Sequence, residues 1–330
     1  MTNSATSRKE LPSDAVAPSK CSVVYEEDSY LSFPAIARAG ECLAVVFRRA
    51  TTNELDVDAQ ILICTSKDEG RTWSDAQVWV DVPGVDSRNC GGGQLPDGSA
   101  HFVYDMEDGR ARPTYYRTST DGVAWSIPIR LVADVPGKGE HQSHSVGNRA
   151  IGYDEQRLYF PHNGGNSVLV DVRDGKQSQL PRLPRHESSV AFNRRGELIA
   201  FSKGGVVDVS RDGGRTWIGL NQLGSISQPD LLALGDGRLL FCYSDKRRAN
   251  ECLLISEDGH DLDDIRPLTI FRGTPDLQID SRGKAQSLEH DDEILTVLYE
   301  AAGDRGPGRI YLVRTPMSAL NVARQRHFES

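Results

Sequence analysis

The stretch "SKDEGRTW", from Ser66 to Trp73, follows the apolar run "QILIC" and recurs elsewhere in the chain. A second full copy, "SRDGGRTW", runs from Ser210 to Trp217, and shorter copies are "STDGVAW" from Ser119 and "SEDGHD" from Ser256. Ser and Asp side chains bond to turn amides, and Gly permits a positive φ. Each copy offers too few oxygen ligands for a calcium loop. We therefore interpret these four segments, called here the Ser-Asp turns, as structural turns between two strands.

Six longer repeats surround these turns. Each begins with two apolar segments of period two, joined by a turn rich in Asp, Gly or Asn, which is the pattern of a β-hairpin. After most hairpins comes a third apolar run, such as "AQILICTS" or "GVVDVS", followed by a turn and a fourth strand. The repeats start at Phe33, Cys90, Ser145, Ser188, Pro229 and Gln286. Four strands repeated six times predict an all-β, six-bladed β-propeller of four-stranded antiparallel blades.

The two ends of the chain are expected to close this ring. The last repeat ends in "GRIYLVRTP" from Gly308 and lacks a partner strand, which the early segment "CSVVYEE" from Cys21 can supply. We expect residues 1–19 to be a disordered N-terminal lead, residues 20–316 the propeller, and residues 317–330 a tail or short helix.

Composition narrows the class of partner. A formal net charge of −9 over 330 residues disfavours non-specific binding to nucleic acid or to a membrane surface. No apolar stretch reaches the length of a transmembrane helix, and no phosphate-binding loop, dinucleotide fingerprint or metal-binding motif occurs. The six cysteines form no CxxC pair, so we expect free thiols and a cytoplasmic location. We expect no cofactor and no metal, and a small molecule or glycan as partner; the oligomeric state stays open.

The Ser-Asp turns match the pattern S-x-D-x-G-x-T-W of the Asp-box, or BNR repeat, and six repeats that carry it resemble the sialidase (neuraminidase) superfamily. The resemblance covers about residues 20 to 316. It implies a central funnel in which three arginines hold a sugar carboxylate. It also implies a tyrosine nucleophile activated by a glutamate, and an aspartate on a loop as acid and base. Guanidinium groups pair bidentately with carboxylates, and a nearby carboxylate can take the tyrosine proton.

Two segments match the family's funnel residues. "HESSVAFNRRGELIAFSK" resembles the stretch in which a glutamate supports the nucleophile and a basic residue follows in the same hairpin. The resemblance implies these roles for Glu187 and for Lys203, which replaces the arginine of the family. "RRANECLLISEDG" likewise implies Arg248 as a substrate anchor. The alternative is that Glu187 lies in a turn at the rim and that the two basic residues are solvated.

Two positions depart from the family pattern. In "LSFPAI", Ser32 stands where the first arginine is expected. In "GKAQSLEH", Ala285 or Gln286 stands where the nucleophilic tyrosine is expected, and neither can form a glycosyl-enzyme bond in the manner of tyrosine. Tyr299, in the next strand, is interpreted as a packed core aromatic. Gln286 is retained as a candidate substrate-binding residue.

The acid/base loop of the family corresponds to "NELDVDAQ". Asp56 and Asp58 are the candidate catalytic acids, with Glu54 behind them. A solvated acidic loop is the equally weighted alternative, because such charges are usually exposed.

Further polar residues precede the hairpins of other repeats and are expected to line the funnel. Among them is a histidine pair, His141 and His144. Histidine suits proton abstraction because it titrates near neutral pH, although histidines on loops are more often solvated. These candidates are Asp86, Arg88 and Asn89 in "DSRNCGGG", His141 and His144 in "EHQSHSVGN", and Gln228 and Asp230 in "SQPD".

Three functions remain open at this point. The first is a divergent sialidase-like glycoside hydrolase acting on an anionic or polyhydroxylated sugar. In that enzyme Glu187 would be the base or the partner of a nucleophile, and Asp56 or Asp58 the acid. The second is a lyase or metabolite-tailoring enzyme that uses the same pocket with His144 as base. The third is a non-catalytic glycan-binding propeller.

Overall fold

A computed structural model describes residues 20–132, 149–162, 165–224, 226–245, 250–262, 267–272 and 282–320. Within these ranges the chain forms six four-stranded antiparallel sheets. The first strands of the sheets contact one another around a central axis, and each sheet extends outward from there. The predicted all-β, six-bladed β-propeller is confirmed.

Blades 1 to 3 contain the strands β2 to β13 in chain order. From the axis outward, blade 1 has β2 Tyr30–Ala39, β3 Cys42–Ala50, β4 Gln60–Ser66 and β5 Gln77–Val80. Blade 2 has β6 Asp86–Gln94, β7 Ala100–Glu107, β8 Thr114–Ser119 and β9 Ile129–Leu131. Blade 3 has β10 Ile151–Gly152, β11 Arg157–Phe160, β12 Ser167–Asp171 and β13 Gln177–Leu180.

Blades 4 to 6 repeat the plan, and both ends of the propeller meet in blade 6. Blade 4 has β14 Ser188–Phe192, β15 Leu198–Ser202, β16 Val206–Ser210 and β17 Ile218–Gln222. Blade 5 has β18 Ile226–Ala233, β19 Leu239–Asp245, β20 Asn250–Ser256 and β21 Leu268–Arg272. Blade 6 has β22 Arg282–His290, β23 Glu293–Ala301 and β24 Gly308–Pro316, and its outermost strand is β1 Lys20–Glu27.

The pairing of β1 with β24 closes the ring. Val23 lies opposite Tyr311 in an antiparallel register, as the early segment from Cys21 predicts. A short 3-10 helix, Gly303–Arg305, connects β23 to β24, and residues 317–320 are helical. Because the first and last strands of the propeller share one sheet, blade 6 joins the two ends of the ring.

The Ser-Asp turns connect the third and fourth strands, as predicted. In the first turn the Gly70 amide donates to Ser66 Oγ at 2.8 Å, and Thr72 Oγ1 donates to Asp68 Oδ2 at 2.6 Å. Gly70 has φ 80°, and a Cβ atom there would lie 2.7 Å from Leu312 Cδ2. Glycine is therefore required by both the backbone and the space.

The hydrophobic core consists of six clusters, one between each pair of neighbouring blades. Successive side chains of a strand point to opposite faces of the sheet, so each blade contributes to two clusters. In β2, Ile36 packs toward blade 6 while Ala35 and Ala37 pack toward blade 2. The tryptophans of three Ser-Asp turns pack beneath their turns; they are Trp73, Trp125 and Trp217.

Cysteines contribute to this core as free thiols. All six are free, and five of them are buried, with Cys21 exposed. The described part of the chain contains no helix that is long and apolar enough to cross a membrane.

The innermost strands share a backbone irregularity near their N-terminal ends. In β2, β6, β18 and β22 one extra residue interrupts the pairing with the second strand, which makes a β-bulge. A non-glycine residue with positive φ lies at this point in these four blades: Phe33 (53°), Asn89 (56°), Gln228 (51°) and Lys284 (40°). Glu187 (49°) adopts the same conformation just before β14, whose pairing has no bulge. Non-glycine residues rarely adopt this conformation, and it re-aims the side chain at the axis end of each blade.

Candidate functional site

The five positive-φ residues meet around the axis at one end of the propeller. Lys284 Nζ lies 4.7 Å from the centroid of the Phe33 ring, and the Lys284 amide donates to Gln228 Oε1. Glu187 interacts electrostatically with Lys284, and all five residues are half-buried. We call this set, together with the charged side chains that contact it, the axial funnel. Those charged side chains are Arg88, Asp105, Glu107, Arg112 and Lys203.

Glu187 and Lys203 form an exposed ion pair in blade 4. Lys203 Nζ donates to Glu187 Oε1 at 2.5 Å, and the two side chains are 45% and 43% exposed. The Lys203 amide also donates to the Glu187 carbonyl at 3.2 Å, so the backbone holds the two residues side by side. The pair that the sequence suggested is thus brought together, and both groups are accessible to solvent.

Asp86 and Arg88 belong to a charge network between blades 1 and 2. Asp86 is fully buried and accepts two hydrogen bonds from Arg48, at 2.9 Å on each oxygen. Arg88 lies 3.4 Å from Asp86 and 3.5 Å from Glu107, and donates to the Asn53 carbonyl at 2.9 Å. Arg48, which sequence reasoning missed, thus neutralises Asp86. Nothing in its apolar strand context, "AVVFRR", distinguishes it from an exposed rim arginine.

The two candidate acids of blade 1 have different surroundings. Asp56 is 8% exposed; its Oδ2 accepts hydrogen bonds from the amide and hydroxyl of Thr51, and its Oδ1 accepts from the Asp58 amide. Burial raises the pKa of Asp56, but these hydrogen bonds outweigh it and hold the pKa below the ordinary value. Asp58, in contrast, is exposed. Asp56 fixes the loop as a carboxylate, and Asp58 carries the solvent-facing acid.

Asn89 takes part in a second network in blade 2. Its Nδ2 donates to Asp105 Oδ2 at 3.1 Å, and Thr114 Oγ1 donates to Asp105 Oδ1 at 2.8 Å. Arg112 lies 3.7 Å from Asp105 and 2.8 Å from Glu107. Asp105 and Glu107 lie on β7, one strand outside the positive-φ residue, so they do not share the position before a hairpin that marks the other candidates.

Lys284 is a further funnel residue that sequence reasoning missed. It stands two positions before Gln286, at the register that Asn89, Glu187 and Gln228 occupy in other blades, and that register is the signal that could have found it. Burial lowers the pKa of Lys284 to about 8. A substantial fraction of this amine is therefore neutral near physiological pH, unlike an ordinary lysine.

Gln286 and Tyr299 lie deeper in the molecule. Gln286 is 4% exposed, and its Oε1 accepts a hydrogen bond from the Ile36 amide at 3.2 Å, which ties blade 6 to blade 1. Tyr299 is buried, and its ring centroid lies 6.2 Å from that of Phe33. Burial raises the pKa of Tyr299 well above its ordinary value, so the phenol stays protonated. Gln228 remains half-buried in the funnel, where it accepts from Lys284.

A buried ion pair crosses the axis. Arg149, just before blade 3, donates to both oxygens of Asp230 in blade 5, at 3.2 and 2.6 Å, and to the Ser287 carbonyl in blade 6 at 2.6 Å. Asp230 also accepts from the Ser287 amide at 3.0 Å. Asp230, which sequence reasoning placed at the mouth of blade 5, is thus part of a link between three blades.

Some buried polar atoms near the funnel have no hydrogen-bond partner within the described ranges. They are Ser32 Oγ, Ser87 Oγ and Arg88 Nε. Ser32 and Ser87 are fully buried, and they flank Phe33 and Arg88 respectively. Unpaired buried polar atoms are uncommon in native proteins, and these three belong to the first strands of blades 1 and 2.

Two predicted residues, His144 and Arg248, lie outside the described residues, as does His141. Their roles remain predictions from the sequence.

One group in the described part of the chain could hold a metal ion by its composition: Glu69, His290 and Asp291, whose ligand atoms lie within 4.8 Å of one another. It lies on a Ser-Asp turn and a hairpin, outside the funnel. Arg38 NH1 approaches His290 Nδ1 at 2.7 Å. Guanidinium groups only donate, so Nδ1 accepts and Nε2 keeps the proton of a neutral imidazole. That arrangement leaves no imidazole lone pair for a metal.

Comparison with known proteins relates the chain to others at the level of fold. No protein-family model matches the sequence, and no curated protein matches it. A protein of unknown function from Dyadobacter fermentans matches with a TM-score of 0.73 at 18% identity, covering 92% of this chain and 98% of that one.

Sialidases are also among the structural neighbours. Trypanosoma rangeli sialidase in complex with 2,3-difluorosialic acid matches with a TM-score of 0.67 at 13% identity, over 94% of this chain and 60% of that chain. The Hadza microbial sialidase Hz136 matches with a TM-score of 0.64 at 14% identity, over 88% and 66%. The chain thus spans less than two thirds of the length of these sialidases. At these identities the likeness concerns the fold alone: the chain shares a six-bladed propeller fold with these sialidases.

Proposed function

We propose that this protein is an enzyme of the glycoside hydrolase type that acts on an anionic or polyhydroxylated sugar in the axial funnel. The observation that carries the proposal is the Glu187–Lys203 pair. In this pair an exposed carboxylate and an exposed ammonium lie 2.5 Å apart. Glu187, which carries the carboxylate, has a positive φ. Strained backbone of this kind is frequent at functional sites.

The proposed roles follow from the surroundings of each residue. Glu187 is the carboxylate that acts as base or supports a nucleophile, because it faces solvent. Asp58 is the proposed acid, since both oxygens of Asp56 are already used to fix the loop. Lys203 and Arg88 anchor the substrate, with Arg248 as a further anchor expected from the sequence.

The charges favour an anionic substrate. Four basic side chains, Arg88, Arg112, Lys203 and Lys284, belong to the funnel of a protein whose formal net charge is −9. The same funnel holds the carboxylates Glu187, Asp105 and Glu107, so the support comes from the individual cations and not from a net positive charge. Arginine in particular pairs well with carboxylates. This supports a sugar with a carboxylate over a neutral one.

The test is turnover of a panel of fluorogenic glycosides, with a 4-methylumbelliferyl sialoside and uronides measured side by side at several pH values. We expect release from at least one member, reduced about 100-fold or more by Glu187→Gln because proton transfer or nucleophile support is lost. Glu155→Gln is the matched control, since it makes the same change at an exposed carboxylate on the hairpin of blade 3. A Glu187→Gln variant with wild-type turnover would contradict the proposal.

A glycan-binding propeller without turnover is the second candidate. It is favoured by the buried position of Gln286, whose side chain is occupied by the Ile36 amide, and by Ser32 at the place of the family arginine. Calorimetric binding of a sugar acid, with no release from any glycoside, would support it. New ultraviolet absorbance from an unsaturated uronate, lost in His144→Ala, would instead indicate elimination.

A further inference from the structure

Lys284 differs from the other cations of the funnel. Arg88 pairs with Asp86 and Glu107, Arg112 pairs with Glu107, and Lys203 pairs with Glu187. Within the described ranges, Lys284 forms no ion pair with a carboxylate. Its ammonium lies instead over the face of the Phe33 ring, 4.7 Å from the centroid. The side chain is half-buried with an aromatic ring, and not a carboxylate, as its neighbour, which is an uncommon setting for a lysine.

The surroundings of Lys284 favour a neutral amine. Burial is the largest influence and lowers its pKa to about 8; Arg112 acts in the same direction. Cys90, Asp105 and Glu187 also face it and act in the opposite direction. A lysine that is desolvated and near another cation is a nucleophile, because the lone pair of its nitrogen is available near neutral pH.

A second cation shares the same aromatic ring. The guanidinium carbon of Arg88 lies 5.7 Å from the centroid of the Phe33 ring. Its distance from Lys284 Nζ is therefore at most the sum of the two distances to that centroid. Arg88 Nε is buried and has no partner among the described residues. The Arg88 side chain is 13% exposed, and a guanidinium is suited to a carboxylate oxygen.

We propose that the Lys284 amine forms an imine with the carbonyl carbon of a small 2-oxo acid whose carboxylate is held by Arg88. The nitrogen lone pair attacks the carbonyl carbon, and a C–N bond forms while the carbonyl π electrons move to oxygen. The oxygen takes the proton that the nitrogen releases. A second proton from solvent then lets this oxygen leave as water, and the C=N bond forms in its place.

This inference goes beyond the proposed hydrolase activity, because imine formation requires no glycosidic bond. It concerns the same funnel, so the ligand of the two reactions shares a carboxylate. The two proposals can fail separately: glycoside turnover tests Glu187, and capture of a carbonyl compound tests Lys284.

The test is reductive trapping of the full-length protein with glyoxylate and sodium cyanoborohydride, followed by peptide mapping. Hydride transfer to the C=N carbon converts the imine into a stable secondary amine. At pH 7.5 about a quarter of an amine with a pKa near 8 is neutral, against about one in a thousand for an ordinary lysine. We therefore expect Lys284 to be modified at least about tenfold faster than Lys203 in the same sample. Equal rates at Lys284 and Lys203 would overturn the proposal.

Two controls separate a specific site from a merely reactive lysine. The rate at Lys284 should be half-maximal near pH 8, where the amine loses its proton. Glycolaldehyde, which has no carboxylate, should react more slowly at Lys284 than glyoxylate does, and Arg88→Met should abolish this difference. If Lys284 still reacted faster with glyoxylate than with glycolaldehyde in Arg88→Met, or reacted equally fast with both in the wild type, the proposed role of Arg88 in holding the carboxylate would be wrong. Since the wild-type protein gives the main result, a variant that fails to fold does not decide it.

Discussion

The Ser-Asp turns and the ring of positive-φ residues both repeat around the propeller, but in opposite ways. In the four turns the same hydrogen bond recurs, from a glycine amide to a serine hydroxyl, at 2.8 to 2.9 Å. At the axis the same backbone conformation recurs in five blades, but the residues that adopt it are Phe33, Asn89, Glu187, Gln228 and Lys284.

The difference follows from what fixes the backbone in each place. In a turn the side chains themselves make the bonds that shape the chain, so a change of residue changes the structure. At the axis one backbone conformation accommodates five different side chains, four of them at a β-bulge. Repeated side chains therefore accompany scaffolding in this protein, and a repeated backbone with varied side chains accompanies the proposed site.

The largest expected loss of stability comes from a residue at the axis, because part of the axis is also scaffolding. Asp230→Ala leaves Arg149, which is 4% exposed, without its carboxylate partner. An unpaired buried charge costs about 3 to 5 kcal/mol, so we expect the free energy of unfolding in urea to fall by that amount. The ion pair links blades 3 and 5, and the loss should affect one cooperative transition.

The control for Asp230→Ala is Glu26→Ala, which removes the carboxylate of an exposed pair with Arg309 on the outer strands of blade 6. We expect a loss of about 0 to 1 kcal/mol there. Comparable losses in the two variants would mean that the axial pair does not hold the blades together.

The second prediction tests whether the turns are equivalent. Ser66→Ala and Ser210→Ala each remove the hydroxyl that accepts the glycine amide bond at 2.8 Å. We expect each to lower the free energy of unfolding by about 1 to 2 kcal/mol, because a buried amide loses its partner, while trapping at Lys284 stays unchanged. The corresponding change in a shortened turn, Ser119→Ala, should cost a similar amount, since its glycine bond is the same. A large change in trapping with intact stability would mean that the turns also shape the funnel.

The same contrast explains how far the sequence predicts the molecule. Turn residues such as Ser66 and Gly70 act over a few positions, so their pattern predicts the turn, the blade and the ring closure by β1. The funnel depends on contacts between blades that are far apart in sequence. Neither the approach of Arg48 to Asp86 nor the position of Lys284 over Phe33 has a local signature. Glu187 and Lys203 could be paired because one hairpin carries both.

The third prediction concerns pH and Lys284. Its pKa in the folded protein, about 8, is below that of an unfolded chain, about 10.4. Between these values the unfolded state binds a proton that the folded state does not, so the stability contributed by this residue rises with pH. We expect the free energy of unfolding of the wild type, minus that of Lys284→Met, to increase from pH 8 to 10 by at most about 1.4 kcal/mol per unit. A flat difference would mean that Lys284 is fully solvated.

The smallest expected change of stability comes from Glu187→Gly, which removes a side chain from a positive-φ residue. Relief of the left-handed backbone gains about 1 kcal/mol, and the greater freedom of glycine in the unfolded chain costs a similar amount. Stability should therefore stay within about 1 kcal/mol of the wild type while glycoside turnover is lost. The reverse change in a turn, Gly70→Ala, places a Cβ atom 2.7 Å from Leu312 at φ 80° and should destabilise clearly. If Glu187→Gly were instead the more damaging of the two, its side chain would stabilise the backbone before β14, and the separation of scaffold from proposed site would fail in blade 4.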